Sequence, residues 1–311
     1  MGEETLMATN NFKPFGIGAG ANVISQADYE ALAALLTGFQ SGKASSSQIN
    51  KALRQSTVMA SILAQFISDS AGVDVLDNGN TASILANLKA SMTALTPGRL
   101  INVQVFTANG TVTKTAGAKK WKIRVLGGGG GSSAAPATGT GQVSVSNGGG
   151  AGAYAEGIYD VTSISTAAIT IGAGGPGGNS SSQYGVDGSA TSVGSLISAP
   201  GGKAGLPAGP ANPPFQPVAN TNGASPTSWN IVGTSGPGAE AAVAVSTSYA
   251  AGSRGANSQL GMGGSIPAIN NNANTGGGFG SGASGCANGP SQPVNAGAAG
   301  RSGIAIIEEY A

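Results

Sequence analysis

Lys119-Lys120-Trp121-Lys122-Ile123-Arg124-Val125-Leu126 runs without a break into Gly127-Gly128-Gly129-Gly130-Gly131. The first part alternates as a strand does, with Trp121, Ile123 and Val125 on one face and Lys120, Lys122, Arg124 and Leu126 on the other. A flexible linker has no reason to begin flush against so strongly patterned a strand, so the glycines belong to the fold. Glycine in such a run either takes φ > 0 or lies in an extended polyglycine-type helix, where backbone approaches backbone because no side chain intervenes.

Outward from that junction the chain has two compositional halves. Only eight of the 54 glycines lie before residue 97. Further runs fall at 148–152, 172–178, 201–209 and 276–285. Collagen is excluded because an every-third glycine holds only locally, as at Gly297, Gly300 and Gly303. Strand signals recur between the runs. Ile101, Val103 and Val105 alternate before Phe106, and Asn109-Gly110 marks a hairpin turn into Thr111-Val112-Thr113. Later candidates are residues 153–161, 168–171, 192–198, 241–247 and 303–310. In the last, Ile304, Ile306 and Tyr310 share a face and Glu308 is the outlier.

From Val125 to Gly300 the charged residues are Glu156, Asp160, Asp187, Lys203, Glu240 and Arg254 alone, and the net charge is +1. That balance offers no basic footprint for nucleic acid or an anionic membrane. The cluster Lys119, Lys120, Lys122 and Arg124 reads as a solvated sheet face or edge. No secretory leader and no apolar stretch of bilayer length is visible, so synthesis in the cytoplasm without membrane insertion is expected. Met7 offers an alternative start to Met1.

Reaction chemistry finds little support. The chain has no histidine and one cysteine, Cys286, which excludes Ser-His-Asp and Cys-His machinery, a disulfide framework and the usual nitrogen metal ligand. No phosphate loop ends a glycine run in Gly-Lys-Ser or Gly-Lys-Thr. On one strand Glu156 and Asp160 would stand about 13 Å apart, too far for a glycosidase pair. No enzyme activity, cofactor or metal is expected.

The amino-terminal part reads as helical. Residues 8–24 are extended and turn-rich and need a surface to dock on. Ser25 opens a helix with Asp28 as its capping partner and Tyr29, Leu32, Leu35, Leu36 and Phe39 on one face, ended by Gly38 and Gly42. A longer helix from Ser46 or Ser47 presents Ile49, Leu53, Ala60, Leu63 and Ile67, flanked by Met59, Ile62 and Phe66. Its spacing is that of a seam buried against partner helices of the same chain or of symmetry mates. Gly72 closes it. Asn80 caps a third helix carrying Ile84, Leu85, Leu88 and Met92, and Pro97-Gly98 forms the boundary. Three helices of about 70 residues make a thin core for a monomer.

Residues Asn11-Phe12-Lys13-Pro14-Phe15, Gly18-Ala19-Gly20-Ala21-Asn22-Val23, Ser25-Gln26-Ala27-Asp28-Tyr29 and Leu36-Thr37-Gly38-Phe39-Gln40-Ser41-Gly42 resemble the opening segment of bacteriophage and prophage tail fibre proteins. Val105-Phe106-Thr107, Gly110-Thr111, Val125-Leu126-Gly127, the 148–152 run and Gly303-Ile304-Ala305-Ile306-Ile307-Glu308-Glu309-Tyr310 resemble their glycine-rich, receptor-binding tip. The resemblance implies an α+β chain in three parts. Residues 1–24 form an extended arm, 25–96 a helical trimerising segment, and 97–311 an all-β domain with glycine-rich loops or polyglycine-type segments.

It further implies a homotrimer in the virion, without cofactor. The arm residues Phe12, Pro14 and Phe15 would attach it to other tail or baseplate proteins. Ile49, Leu53, Ala60, Leu63 and Ile67 would form the trimer interface, and the tip would recognise a bacterial surface receptor, lipopolysaccharide or an outer-membrane protein. Long fibres carry shaft repeats, and this chain has none of appreciable size. Receptor contact is expected in the proline-rich stretch 199–238 and its surroundings, where Phe215, Trp229, Tyr184, Tyr249, Phe279 and Asn271 supply rigid or adaptable contact area. Trp229 beside Ile231 and Val232 equally fits a core position. The rivals are a glycine-rich connector that recognises nothing and a surface-polysaccharide depolymerase.

Overall fold

The computed structural model describes residues 8–39 and 45–311; the expected helix end at Gly42 and the alternative start at Met7 lie outside them. The chain divides into two compact units, Met1–Pro97 and Gly98–Ala311.

In the first unit, Ser25 caps α1 (Gln26–Glu30) by accepting the Asp28 amide at 3.1 Å. The expected single helix is interrupted, because α2 (Ala34–Thr37) starts separately after a tight turn. Its apolar side finds nothing to bury against: Leu36 is 94% exposed, and Leu35 and Phe39 are also exposed. Helix α3 (Ser46–Ala71) ends at Gly72 in the left-handed region, φ 64°. Asn80 caps α4 (Thr81–Ala94) through the Ser83 amide. The two long helices enclose a small core of Ala64, Ile67 and Val75, with Phe12, Val73 and Leu88 packed against it.

The second unit begins with a two-layer β structure. Its five-stranded antiparallel sheet has the order Leu100–Phe106, Ile304–Tyr310, Lys120–Leu126, Tyr154–Asp160, Val232–Thr234. Trp121, Ile123 and Val125 point inward together as their alternation requires, and pack with Val112, Ile169, Val193 and Ile197 of the facing four-stranded sheet. Lys122 and Arg124 occupy the other face. They do not guard an edge: the strand is central, and Lys122 pairs with Glu156 at 3.0 Å while Arg124 pairs with Glu308.

Two local expectations invert. Asn109-Gly110 does not close a hairpin; Leu100–Phe106 pairs with Ile304–Tyr310 while Gly110–Thr113 pairs with Thr166–Thr170 in the other sheet. In the last strand the inward face is Ala305, Ile307 and Glu309. Glu309 is fully buried, accepting from Trp121 Nε1 at 2.8 Å, the Thr115 amide at 3.0 Å, Gln104 Nε2 at 3.0 Å, Asn102 Nδ2 at 3.1 Å and the Thr115 hydroxyl. Half-buried Gln104 and exposed Asn102 both reach Glu309 with their amides, on the side of the strand away from the exposed Val103 and Val105.

Past Leu126 the hydrogen-bond period changes from two to three. Donation from Gly127 and Gly130 goes to Ala153 and Gly150, from Gly128 and Gly131 to Ser189 and Val186, and from Gly129 and Ser132 to Arg301 and Ala298, at 2.8–3.0 Å. Its carbonyls accept from three further segments: Gly129 from Gly175, Gly128 from Gly202, and Gly130 from Ala283. Three residues per turn with neighbours on all sides is polyglycine II geometry, the extended left-handed helix of about 3.1 Å rise per residue. Six segments therefore surround 127–135. Segment 147–153 is the second centre, donating to 280–286, 200–206 and Pro237 and accepting from Ala256 and Gly130.

The glycines are required by space. A Cβ on Gly127, Gly128, Gly129, Gly130 or Gly131 would lie 2.0–2.2 Å from a carbonyl oxygen of a neighbouring segment, about half a normal contact. No glycine of that run has φ in the left-handed region. Where fewer sides are covered, fewer glycines are needed: on the outer segment 295–303, only Gly297, Gly300 and Gly303 meet the central segment, at Ser132, Gly129 and Leu126. Three adjacent strands of the sheet, those containing Trp121, Glu156 and Ile306, continue directly into three adjacent segments of the bundle.

Candidate functional site

The continuity of strand and bundle fixes two ends for the second unit. Both of its termini lie at the sheet end, where Gly98 donates to the Ala311 carbonyl at 3.1 Å. The opposite end is made by the turns that return the segments: 136–142 against 289–293, joined by Thr138 to Gln292 at 2.9 Å, together with 179–182, 212–217, 246–249 and 268–272. A small sheet of Pro207–Ala211, Val143–Ser146 and Ala287–Asn288 underlies these turns, with a core of Val143, Val145, Ala242, Ala244, Ala250 and Ala287.

The six residues singled out from sequence separate between these ends. Tyr249, 64% exposed, and the exposed Asn271 stand on the far-end turns, and Tyr184, 63% exposed, lies just past the 179–182 turn beside the far end of the central segment. Phe215 is also there, but its half-buried ring packs on the alanine and valine core under the turns. Trp229 lies at the sheet end. Its turn is bound to the Tyr154–Asp160 strand by Asn230, which bonds both the amide and the carbonyl of Ile158, and by Tyr159 Oη donating to the Ser228 carbonyl at 2.6 Å. The indole lies over Gly233, where a Cβ would stand 2.4 Å from it, and remains 45% exposed. Phe279 sits at the junction, opposite Leu260 in a hairpin.

Sequence reasoning missed a cleft on the flank of the bundle. Segments 236–240 and 253–257 both bond to 147–153, through Ala151 to Pro237 at 2.9 Å and Ala256 to Gly149 at 3.0 Å. Among the described residues no backbone hydrogen bond joins the two to each other. The gap is a cleft of about 270 Å3 lined by Pro237, Glu240, Arg254 and Asn257. Glu240 and Arg254 are exposed, and neither takes part in the ion pairs found among the described residues. One rim therefore offers a carboxylate acceptor and the other a guanidinium donor. The available signal was their isolation in an otherwise nearly uncharged stretch.

Perturbed titration elsewhere has structural causes. Burial pushes the Tyr154 hydroxyl up to about 12, helped by its bond to Glu156. Burial would raise Glu156, but hydrogen bonds from Lys122 and Tyr154 outweigh it and hold the carboxyl below its ordinary value. Cys286 is raised by burial and is an unreactive, packed thiol. No group of three metal-ligating side chains occurs among the described residues.

Residues 106–310 match the family model of the glycine-rich domain. The chain belongs to that family. The match starts at the end of the first strand and takes in both sheets, the whole polyglycine bundle and the far-end turns, so the glycine-rich domain comprises both the side-chain-packed and the backbone-packed regions. No curated protein matches the chain. Among the described residues no helix is long and apolar enough to cross a membrane.

Proposed function

We propose that this protein is a non-enzymatic tail fibre component of a phage or prophage particle, attaching it to a bacterial surface by multivalent receptor binding. The observation that carries the reading is the polarity of the glycine-rich unit. Its covalent connections lie at the sheet end, and a bundle whose interior holds only backbone and small side chains holds out exposed Tyr184, Tyr249 and Asn271 at the other. Rigid aromatics and asparagines on fixed turns give contact area at low entropic cost. Trp229 belongs to a different surface, so receptor contact is assigned to the far-end turns first and to the Glu240–Arg254 cleft second.

The multivalency is supplied by the helical unit. Met59, Ile62, Leu63 and Phe66 form an exposed apolar stripe on α3, and Ile49 and Leu53 are also exposed, whereas Ile67 is buried within the chain. Packing three copies along that stripe gives a homotrimer, and several such fibres on a particle raise the effective concentration of weak sites. The arm residues Phe12, Pro14 and Phe15 run along α3, with the Phe15 amide bonded to Thr57 Oγ1 at 3.0 Å, which presents them as part of a docked surface toward tail or baseplate proteins.

Light scattering on the purified chain is expected to give three times the chain mass, and Met59→Glu with Phe66→Glu to give monomer. The labelled trimer should bind some bacterial strains and not others, with selectivity lost in Tyr184→Ala/Tyr249→Ala/Asn271→Ala. A trimer that binds no strain in a broad panel would sink the receptor reading and leave a glycine-rich connector.

A further inference from the structure

A groove of about 550 Å3 in the helical unit runs between α1 and α3 and is lined by Gln26, Lys51, Arg54, Gln55, Val58 and Met59. Lys51 is only 5% exposed. Among the described residues its ammonium has no carboxylate within ion-pair distance and no hydrogen-bond acceptor; its nearest compensation is the Tyr29 ring, 5.7 Å away. The carboxylates of neighbouring α1 are engaged elsewhere, Asp28 with Ser25 Oγ at 2.6 Å and Glu30 with Gln26 Nε2 at 2.7 Å.

The Lys51 stem is covered while its ammonium faces the groove, and a single ring face compensates such a cation only in part. Here the cation borders an open groove with a second cation, Arg54, beside it and the half-buried Val58 and exposed Met59 further along the same helix. We propose that this groove docks an acidic segment of another protein, seating a carboxylate between Lys51 and Arg54 and an apolar side chain against Val58, beside the Met59 end that the trimer seam covers. The arm residues are bonded along a different side of α3, at Ser46, Thr57 and Ser61, so the groove stays open beside them. The inference stands on the helical unit alone and does not depend on what the far-end turns bind.

The full-length chain is to be titrated against an array of octapeptides with two glutamates at every spacing on a leucine and alanine background, and against the same array with glutamine for glutamate. Selected glutamate peptides should bind, their glutamine counterparts should not, and Lys51→Gln or Arg54→Gln should each weaken binding roughly tenfold. Lys51→Met is the control for a merely structural lysine. Without peptide it should leave the melting temperature unchanged or raise it, since it keeps the covered stem and removes a charge with no partner among the described residues. Binding that ignores Lys51 and Arg54, an array with no glutamate-dependent binder, or preference for phosphatidylserine vesicles over every peptide would overturn the proposal. So would a lowered melting temperature in Lys51→Met that Glu3→Gln/Glu4→Gln reproduces, because the anion would then come from this chain.

Discussion

At the Leu126–Gly127 bond the chain passes from a sheet region held by side chains into a bundle region held by backbone. The sheet region buries Trp121, Ile123, Val125 and Ile307 in a conventional core. The bundle region has almost nothing to bury, yet its backbone is just as inaccessible, with Gly127 to Ser133 all buried. A sheet strand has hydrogen-bonded neighbours on two sides and leaves two faces for side chains, whereas a central polyglycine II segment has six neighbours and leaves room for none along Gly127–Gly131, and only for small Ser and Ala side chains beyond. Each bundle glycine costs roughly 0.5–1 kcal/mol in chain entropy relative to alanine, and a backbone hydrogen bond returns about 0.5–1.5 kcal/mol. The two are comparable, so the bundle is stable only if nearly every such bond forms, and it tolerates no side chain that pushes segments apart.

The sharpest way to break the contrast is Gly129→Ala or Gly149→Ala. The new methyl would meet backbone oxygen at 2.0 or 1.9 Å from segments that cannot move separately, and a loss of more than about 4 kcal/mol is expected, read as failure of the glycine-rich unit to fold. Gly277→Ala is its partner experiment: nothing lies within 4 Å and φ is not left-handed, so its denaturation midpoint should hold or rise slightly, by up to about 1 kcal/mol. If both variants behave alike, close backbone packing is not what selects glycine here.

In the sheet region Ile123→Ala should cost about 2–5 kcal/mol through its cavity, measured by urea unfolding. Next comes Glu309→Gln, expected to cost roughly 2 kcal/mol because an amide nitrogen would face donors that now bond a carboxylate. Burial acts to raise the Glu309 carboxyl, but bonds from Thr115, Gln104 and Trp121 outweigh it and hold it below its ordinary value. A depressed folded value contributes stability above the unfolded carboxylate range, lost as pH falls below about 4.5 toward the folded value. The native chain should therefore lose stability in acid more steeply than Glu309→Gln; equal slopes would remove Glu309 from the acid response. The smallest effect is expected for Glu156→Gln on the outer face, under about 1 kcal/mol and reduced by salt, because Lys122 is partly exposed.

Much of this was legible in the chain. The Trp121, Ile123, Val125 face followed from alternation, the caps at Ser25 and Asn80 from local chemistry, and the structural character of the glycines from their position against a strand. The period-three signal was also present, at Gly172, Gly175 and Gly178, at Gly282 and Gly285, and at Gly297, Gly300 and Gly303; too brief for collagen, it marks single faces of outer polyglycine segments. The partial burial of Phe215, the placement of Trp229 at the sheet end and the Glu240–Arg254 cleft were not legible, since each depends on which distant segments lie side by side.

By itself the sequence determined that side chains end at Leu126 and that whatever follows must pack through its backbone, because five residues without a Cβ have no other means of cohesion. Only the tertiary structure decided the alternative between left-handed turns and polyglycine helices. It also decided that Glu309 is an inward residue and which turns stand away from the termini. Those outcomes are set by neighbours distant in the chain, from Gly150 beside Gly130 to Asn102 beside Glu309, and a glycine has no side chain to record the direction of its hydrogen bonds.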